Sequence, residues 1–296
     1  MVTFAMWDSR LCPVKKKSIH ALFPFTMTIK ELAERFDKQL PDITSHIYRA
    51  GRQWAACKTN AQNLVPLKQI LTIEDYQMNL EIVHVEATTS SFFSGNTLQI
   101  GCYPVMIKYR MEEDSPTLKG GVVFITEDIK HDFHQVEKFE IKIFDLMEEK
   151  FGVRPELWTR WSDQCAAQFK SQYTLRKLAE SPDALGFSSG NGTVQWSFFE
   201  TGEGKNDSDS LGSIAKLAYH RGVAKNRDLS VRTGAQVTKL IRENIAMTST
   251  KLQFIEIIEV PRQTWEKWEK NSASKLQLRH KFPILNPKQY EPNIDY

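Results

Sequence analysis

Apolar residues near the N-terminus recur every three or four positions. Between residues 30 and 57 they fall at the spacing of an amphipathic helix. The dipeptide Pro41-Asp42 interrupts this segment, and proline in a helix interior removes a backbone hydrogen bond. We therefore predict two helices here, within an N-terminal helical region spanning residues 1–79. The apolar residues that carry this periodicity are Leu32, Phe36, Leu40, Ile43, Ile47 and Tyr48.

The pattern changes after Asn79 from helical spacing to short apolar runs. Residues 80–86 alternate between apolar and polar, and residues 98–109 and 120–126 form two further runs, which predict three consecutive strands. A long amphipathic helix is expected over residues 134–150, because its apolar side chains share one face.

The second half of the chain alternates between strands and helices. We predict strands at 156–162 and 193–199 and helices at 166–180 and 209–221. The complete order, βββαβαβα, is that of an α/β fold with a mixed sheet, and it is the topology of RNase H-like cores. The predicted core spans residues 80–222. Residues 223–296 form a predicted small C-terminal extension with a helix, a strand and a short helix.

Charge is distributed unevenly along the chain. The net charge is −6 for residues 80–222, whereas residues 1–79 carry +4 and residues 223–296 carry +5. Basic flanks around an acidic centre suit an enzyme that binds a phosphate backbone with its flanks and a divalent metal with its centre. Ordinary variation in surface charge explains the same numbers equally well.

Composition excludes several classes of protein. No apolar run approaches the roughly 18 to 20 residues of a membrane span, and the N-terminus lacks the apolar stretch of a signal peptide. The four cysteines are far apart and form no CxxC pair, so we expect free thiols and find no spacing typical of a cysteine–histidine enzyme. We expect an intracellular protein without membrane contact. The basic run Lys15–Lys17 is compatible with nuclear import, and nuclear localisation is the expectation.

Three acidic residues lie where predicted core strands end. Glu86 closes the first strand, Asp163 follows the fourth, and Asp209 begins the helix after the fifth. The first and fourth strands are neighbours at the centre of an RNase H-like sheet, so these carboxylates are expected to converge. Carboxylate oxygens are the ligands that Mg²⁺ or Mn²⁺ accepts. Taken alone, a residue at such a position is more often a helix cap or a solvated surface residue than a metal ligand, so the prediction depends on all three together.

Two motifs resemble those of transposon-derived proteins with DDE-type integrase or transposase cores. WSDQCAAQFKS at residues 161–171 is similar to their SDGAASQFKN motif, and QWSFFETGEGKNDSDSLGS at 195–213 is similar to WHFFATSHGKG followed by DGIGG. Upstream, LEIVHVEATTS resembles their first strand, which carries the first acidic residue. The resemblance covers about residues 30–222.

This resemblance implies roles for individual residues. It assigns Glu86, Asp163 and Asp209 as catalytic metal ligands. It also implies that three residues near them bind substrate phosphate or position the site. Those three are Gln168, Lys170 and Lys205.

The chain departs from the family pattern at the site itself. Glu86 stands where the family has Asp, and Glu203 stands where it has His. Glu203 is therefore either a compensating metal ligand or a sign that the site is decaying. Asp207 is a further acidic neighbour that competes with Asp209 for the third position, and spacing does not decide between them.

Two functions follow as hypotheses. The first is a transposase- or integrase-like polynucleotidyl transferase or nuclease that uses Mg²⁺ or Mn²⁺ to cleave or join DNA. The second is a catalytically inactive descendant that binds DNA or another protein. DNA is the expected partner, and homo-oligomerisation is left open.

Overall fold

The protein was analysed as a computed structural model, in which two compact units comprise residues 1–52 and 53–296. This boundary lies upstream of the predicted one at residue 79. Among the described residues, no helix is long and apolar enough to cross a membrane. The structure describes residues 2–12, 17–76, 79–82, 99–129, 133–152, 154–165, 169, 192–200, 207–226, 231–245 and 252–261.

The first unit begins with a β-hairpin that the periodicity did not predict. Strand β1 (Val2–Cys12) pairs antiparallel with β2 (Lys17–Met27), with Val2 opposite Met27 and Cys12 opposite Lys17. Residues 2–12 do not alternate strictly between apolar and polar side chains, so the strand signal is weak in this segment. The N-terminal region is consequently not purely helical.

Helix α1 (Ile29–Gln62) follows the hairpin as one continuous helix. Its start is set by a capping box, in which the Glu31 N–H donates to the Thr28 hydroxyl and the Thr28 N–H donates to the Glu31 carboxylate. The prediction of two helices was wrong, because Pro41 lies inside α1 without ending it. Proline removes a single backbone hydrogen bond, and the turns on either side keep theirs.

The second unit contains a mixed sheet whose strands follow the order β8-β7-β3-β5-β6-β9, with the short β4 paired to β5 beside this path. Strand β3 is antiparallel to β5, and β5 is antiparallel to β6. The pairs β3–β7, β7–β8 and β6–β9 are parallel. The strands are β3 (Gln69–Glu74), β4 (Leu80–Glu81), β5 (Gln99–Tyr109), β6 (Leu118–Thr126), β7 (Leu157–Ser162), β8 (Thr193–Phe198) and β9 (Phe254–Val260).

Besides α1, the described residues contain the helices α2 (Phe133–Phe151), α3 (Asp207–Lys225) and α4 (Gly234–Asn244). The mixed sheet and these helices confirm the α/β fold class. They also confirm the helices predicted at 134–150 and 209–221 and the strands predicted at 156–162 and 193–199. The helix predicted at 166–180 lies outside the described residues.

The first strand of the sheet is not the one that the sequence predicted. Strand β3 occupies this position. Within the expected strand 80–86, the described pairing with β5 is that of Leu80–Glu81. Residues 83–98 lie outside the described residues. Strand β3 is central and its residues from Ile70 to Glu74 are buried. Its buried residues include the polar Thr72 and Glu74, so the strand shows neither strict alternation nor a continuous apolar run, which explains why the pattern missed it.

Helices cover both faces of the sheet. One face packs against α2, where Phe139, Phe144 and Trp158 are buried. The other face packs against α3, α4 and the C-terminal end of α1, where Leu211, Tyr219 and Cys57 are buried. The C-terminal extension is thus part of this architecture, because β9 pairs with β6 and α4 joins the second core.

Candidate functional site

Two aspartates follow the ends of neighbouring parallel strands at the centre of the sheet. Strands β3 and β7 pair with Glu74 opposite Ser162, so Asp75 and Asp163 leave the two strands at the same level. Adjacent strands are about 4.8 Å apart. The two carboxylates therefore emerge side by side at the edge where open α/β sheets bind their ligands.

A third aspartate approaches from helix α3. Side chains alternate between the two faces of a strand, and Ile73 and Trp161 belong to the core on the α3 side. The same alternation directs Asp75 and Asp163 toward that side. Asp209 lies in the first turn of α3, where the helix dipole favours a negative charge.

The electrostatics of Asp75 reflect these neighbours. Burial, followed by the negative charges of Asp163 and Asp209, raises the pKa of Asp75 to about 7, against a partial offset from the backbone N–H of Tyr76. Burial also raises the pKa of Asp163, whose Oδ1 accepts a hydrogen bond of 2.9 Å from the Cys165 N–H. The negative charges of Asp163 and Asp209 thus act on Asp75 at one edge of the sheet.

Asp207 is engaged elsewhere, although it is only two residues from Asp209. Its carboxylate forms ion pairs of 2.9 Å with Lys108 and 3.0 Å with Lys119. Burial alone would raise the pKa of Asp207, but these two lysines outweigh it and lower the pKa. Of the two aspartates at the start of α3, it is Asp209 whose charge acts on Asp75.

Beneath this edge, on the α2 side, lies a buried cluster of charges that we call the Arg160 cluster: Arg160, Glu74, Glu140, Tyr103 and Thr72. The guanidinium forms ion pairs with both Glu74 and Glu140. Glu74 also accepts hydrogen bonds of 2.7 Å from the Tyr103 hydroxyl and 2.5 Å from the Thr72 hydroxyl. All five residues are buried, so the charges are paired within the fold.

Aromatic rings enclose the central arginine of this cluster. The Arg160 guanidinium lies 3.7 Å from the ring centroid of Trp196 and 4.6 Å from that of Trp158. Burial alone would lower the pKa of Arg160, but the charges of Glu140 and Glu74 raise it above its ordinary value. The arginine is therefore a permanent cation that ties β3, β7 and α2 together.

Several predicted site residues cannot be compared with this geometry. Five of them lie outside the described residues, including the predicted first metal ligand. They are Glu86, Gln168, Lys170, Glu203 and Lys205.

No group of three or more His, Cys, Asp or Glu side chains within the described part of the chain is close enough to hold a metal ion. The carboxylates of Asp75, Asp163 and Asp209 are thus coupled through their charges without forming a closed ligand shell. None of the ion pairs among the described residues neutralises Asp75 or Asp163.

Asp75 was missed by the sequence reasoning although a signal for it exists. The run QILTIED places an acidic residue directly after a short β-branched stretch, which is the same pattern that drew attention to Asp163. The alternating run at residues 80–86 is the stronger strand signal, and it drew the assignment of the first acidic residue to Glu86.

Comparisons with known proteins bear on the second unit. No curated protein and no solved structure matches the chain. One family matches residues 53–285, and its first residue coincides with the start of the second unit at Gln53. The chain belongs to the family described as Domain of unknown function (DUF8701).

Proposed function

We propose that residues 53–296 form an RNase H-like domain of DDE type that cleaves or joins DNA phosphodiesters with Mg²⁺ or Mn²⁺. The sheet order supports this proposal. Strands β3, β5 and β6 form an antiparallel meander, and β7 and β8 continue the sheet in parallel beside β3. RNase H-like cores have the same order, with the first and fourth strands adjacent at the centre.

The observation that carries the proposal is the coupling of Asp75, Asp163 and Asp209. Asp75 and Asp163 directly follow adjacent parallel strands, and Asp209 lies in the first turn of the helix packed against them. Burial, and after it the negative charges of Asp163 and Asp209, raise the pKa of Asp75 to about 7. No lysine, arginine or histidine among the described residues forms an ion pair with Asp75 or Asp163. A bound cation would remove this repulsion.

The donor chemistry fits a hard divalent cation. Mg²⁺ keeps several of its waters and needs only one or two carboxylates from the protein, so a closed three-residue shell is not required. Asp75 and Asp163 would hold the ion, and Asp209 would approach it from α3. When bound, such an ion activates an attacking oxygen and stabilises the leaving oxygen at phosphorus. The Arg160 cluster would keep both strand ends in place, because Glu74 directly precedes Asp75 and Arg160 lies three residues before Asp163.

The alternative is a domain that binds DNA or a protein without catalysis. The absence of a closed group of metal-binding side chains among the described residues favours this alternative. The departures from the DDE-type motifs at Glu86 and Glu203 favour it as well.

Metal binding and DNA cleavage together test the proposal. Calorimetric titration of the wild type with Mg²⁺ and Mn²⁺ should detect binding in the micromolar to millimolar range, and supercoiled plasmid should be nicked only when metal is present. Asp75→Asn and Asp163→Asn should lose both properties, because each removes one of the two adjacent carboxylates. Asp114→Asn is the matched control, since it removes an exposed carboxylate from the turn between β5 and β6.

The outcomes separate the possibilities. If the wild type binds neither metal at millimolar concentration, the enzyme proposal is overturned and the binding role takes its place. If Asp163→Asn abolishes binding while Asp75→Asn does not, Glu86→Gln decides whether the first ligand is the residue that the DDE-type resemblance implies.

A further inference from the structure

Helix α1 carries a heptad repeat of apolar residues along its whole length. Successive members are separated alternately by four and three residues, which is the a and d pattern of a coiled coil. Every a and d position of this frame within the helix is apolar. These positions are Ile29, Ala33, Phe36, Leu40, Ile43, Ile47, Ala50, Trp54, Cys57 and Ala61.

The C-terminal part of this stripe is a packing face in the second unit. Cys57 and Ala61 belong to the core on the α3 side, and Trp54 stacks on Phe199 with 4.4 Å between ring centroids. This part of the helix therefore uses its a and d positions to bury apolar surface.

The N-terminal part of the same stripe is exposed. Ile29 is 72% exposed, Phe36 55% and Ile47 63%, and Leu40 and Ile43 are both 43% exposed. Large apolar side chains that form a continuous exposed row mark an interaction surface, whereas single ones do not. We call the row of a and d residues from Ile29 to Ile47 the α1 stripe.

The shape of the α1 stripe favours another helix as its partner. A strict a and d row is a narrow seam that fits the holes of a facing helix. From Ile29 to Ile47 the helix rises about 27 Å, which gives about two and a half heptads of contact.

The residues beside the seam favour a second copy of α1 as that helix. In a parallel alignment of two copies, each g position faces the e position that follows it in the partner helix. None of these pairs brings like charges together, and most are neutral. The pairs are Leu32 with Asp37, Gln39 with Thr44, and His46 with Gly51.

We propose that the chain forms a homodimer in which the α1 stripes of two copies pair as a two-helix coiled coil. Self-pairing buries the exposed apolar row on both copies at once. The C-terminal part of the helix already buries the a and d positions of the same frame within the second unit. This inference is independent of the proposed metal site, because it involves none of the residues at the ends of β3 and β7.

Sedimentation equilibrium of the full chain over about 1 to 100 μM tests the dimer. The wild type should show a monomer–dimer equilibrium. The double variant Ile43→Glu with Ile47→Glu should weaken dimerisation at least about 100-fold, because it places charges at two consecutive seam positions. Ser45→Glu is the matched control, since it adds the same charge to the opposite side of the helix and should dimerise as the wild type does.

A milder variant protects the test against loss of folding. Ile43→Gln with Ile47→Gln keeps good helix formers at both positions, and circular dichroism should show unchanged helix content. A monomeric wild type at 100 μM would overturn the proposal and indicate that another segment of the chain or a different protein covers the stripe. A dimer that survives both double variants would overturn it too, because the contact would then lie elsewhere.

Discussion

Two sets of carboxylates lie on opposite faces of the same strands and have opposite electrostatic surroundings. Glu74 is enclosed by the Arg160 cluster, whereas the next residue, Asp75, faces Asp163 and Asp209. The pairing of Glu74 within the fold stabilises the centre of the sheet. Burial and the neighbouring negative charges make the ionised form of Asp75 cost stability, and retaining such a cost is typical of a functional site.

The same contrast recurs within one turn of α3. Asp207 binds Lys108 and Lys119, whereas Asp209 adds to the repulsion at Asp75. The two aspartates interact with residues at different levels of the sheet. Lys108, which pairs with Asp207, lies opposite Leu71 near the start of β3, whereas Asp75 follows the end of this strand. Substitutions at Arg160, at Asp75 and at the two aspartates of α3 sharpen this comparison.

The largest effect is expected from removal of the central cation. Arg160→Met leaves Glu74 and Glu140 buried without a positive partner, and we expect a loss of about 3 to 5 kcal/mol in the free energy of unfolding. Urea denaturation measures it. Arg154→Met is the control, because Arg154 pairs with exposed acidic residues and its removal should cost less than about 1 kcal/mol. Equal losses for both variants would show that the buried ion pairs of Arg160 stabilise the fold no more than the exposed ion pairs of Arg154 do.

A smaller effect is expected at Asp75, where the charge of the carboxylate destabilises the fold and does not stabilise it. Because its folded pKa of about 7 lies above the ordinary value of 3.8, the folded state binds a proton that the unfolded state has released. The metal-free protein should therefore lose about 2 to 4 kcal/mol of stability as the pH rises from 4 to 7.

Asp75→Asn should remove most of that pH dependence, as denaturation at pH 5 and pH 8 would measure, and Asp114→Asn should retain it. An unchanged pH profile in Asp75→Asn would mean that neither burial nor the neighbouring carboxylates raise the pKa of Asp75. Addition of Mg²⁺ to the wild type should flatten the profile if the proposed site binds the ion.

The smallest effect is expected at α3. Asp207→Asn frees two lysines, one of them largely buried, and should destabilise the fold by about 1 to 2 kcal/mol at pH 7. Since the pKa of Asp207 is lowered, its contribution is present above pH 4 and is lost as the pH falls further. Asp209→Asn should instead weaken the pH dependence that Asp75 confers, because it removes one of the negative charges that raise the pKa of Asp75. Denaturation of the two variants at pH 5 and pH 8 compares them, and an unchanged pH dependence in Asp209→Asn would contradict the contrast.

Local patterns were sufficient for much of the second half of the fold. The amphipathic spacing of α2, the strand β7 and the acidic residues after β7 and at the start of α3 were all visible in the sequence. Strand β3 was not, because its buried polar residues Thr72 and Glu74 interrupt the apolar pattern of a short strand. The sequence therefore directed the assignment of the first acidic residue to Glu86, eleven positions after Asp75 and outside the described residues.

Periodicity along the chain indicated the α/β class and placed Asp163 and Asp209 at the ends of predicted elements. Which charges meet depends on how distant segments pack together. Glu74 and Arg160 are 86 residues apart, and Lys119 and Asp207 are 88 apart, so no local spacing connects them. The register of β3 against β7 and the packing of α3 on the sheet bring these residues together, because contacts between distant segments depend on how whole elements bury their apolar faces.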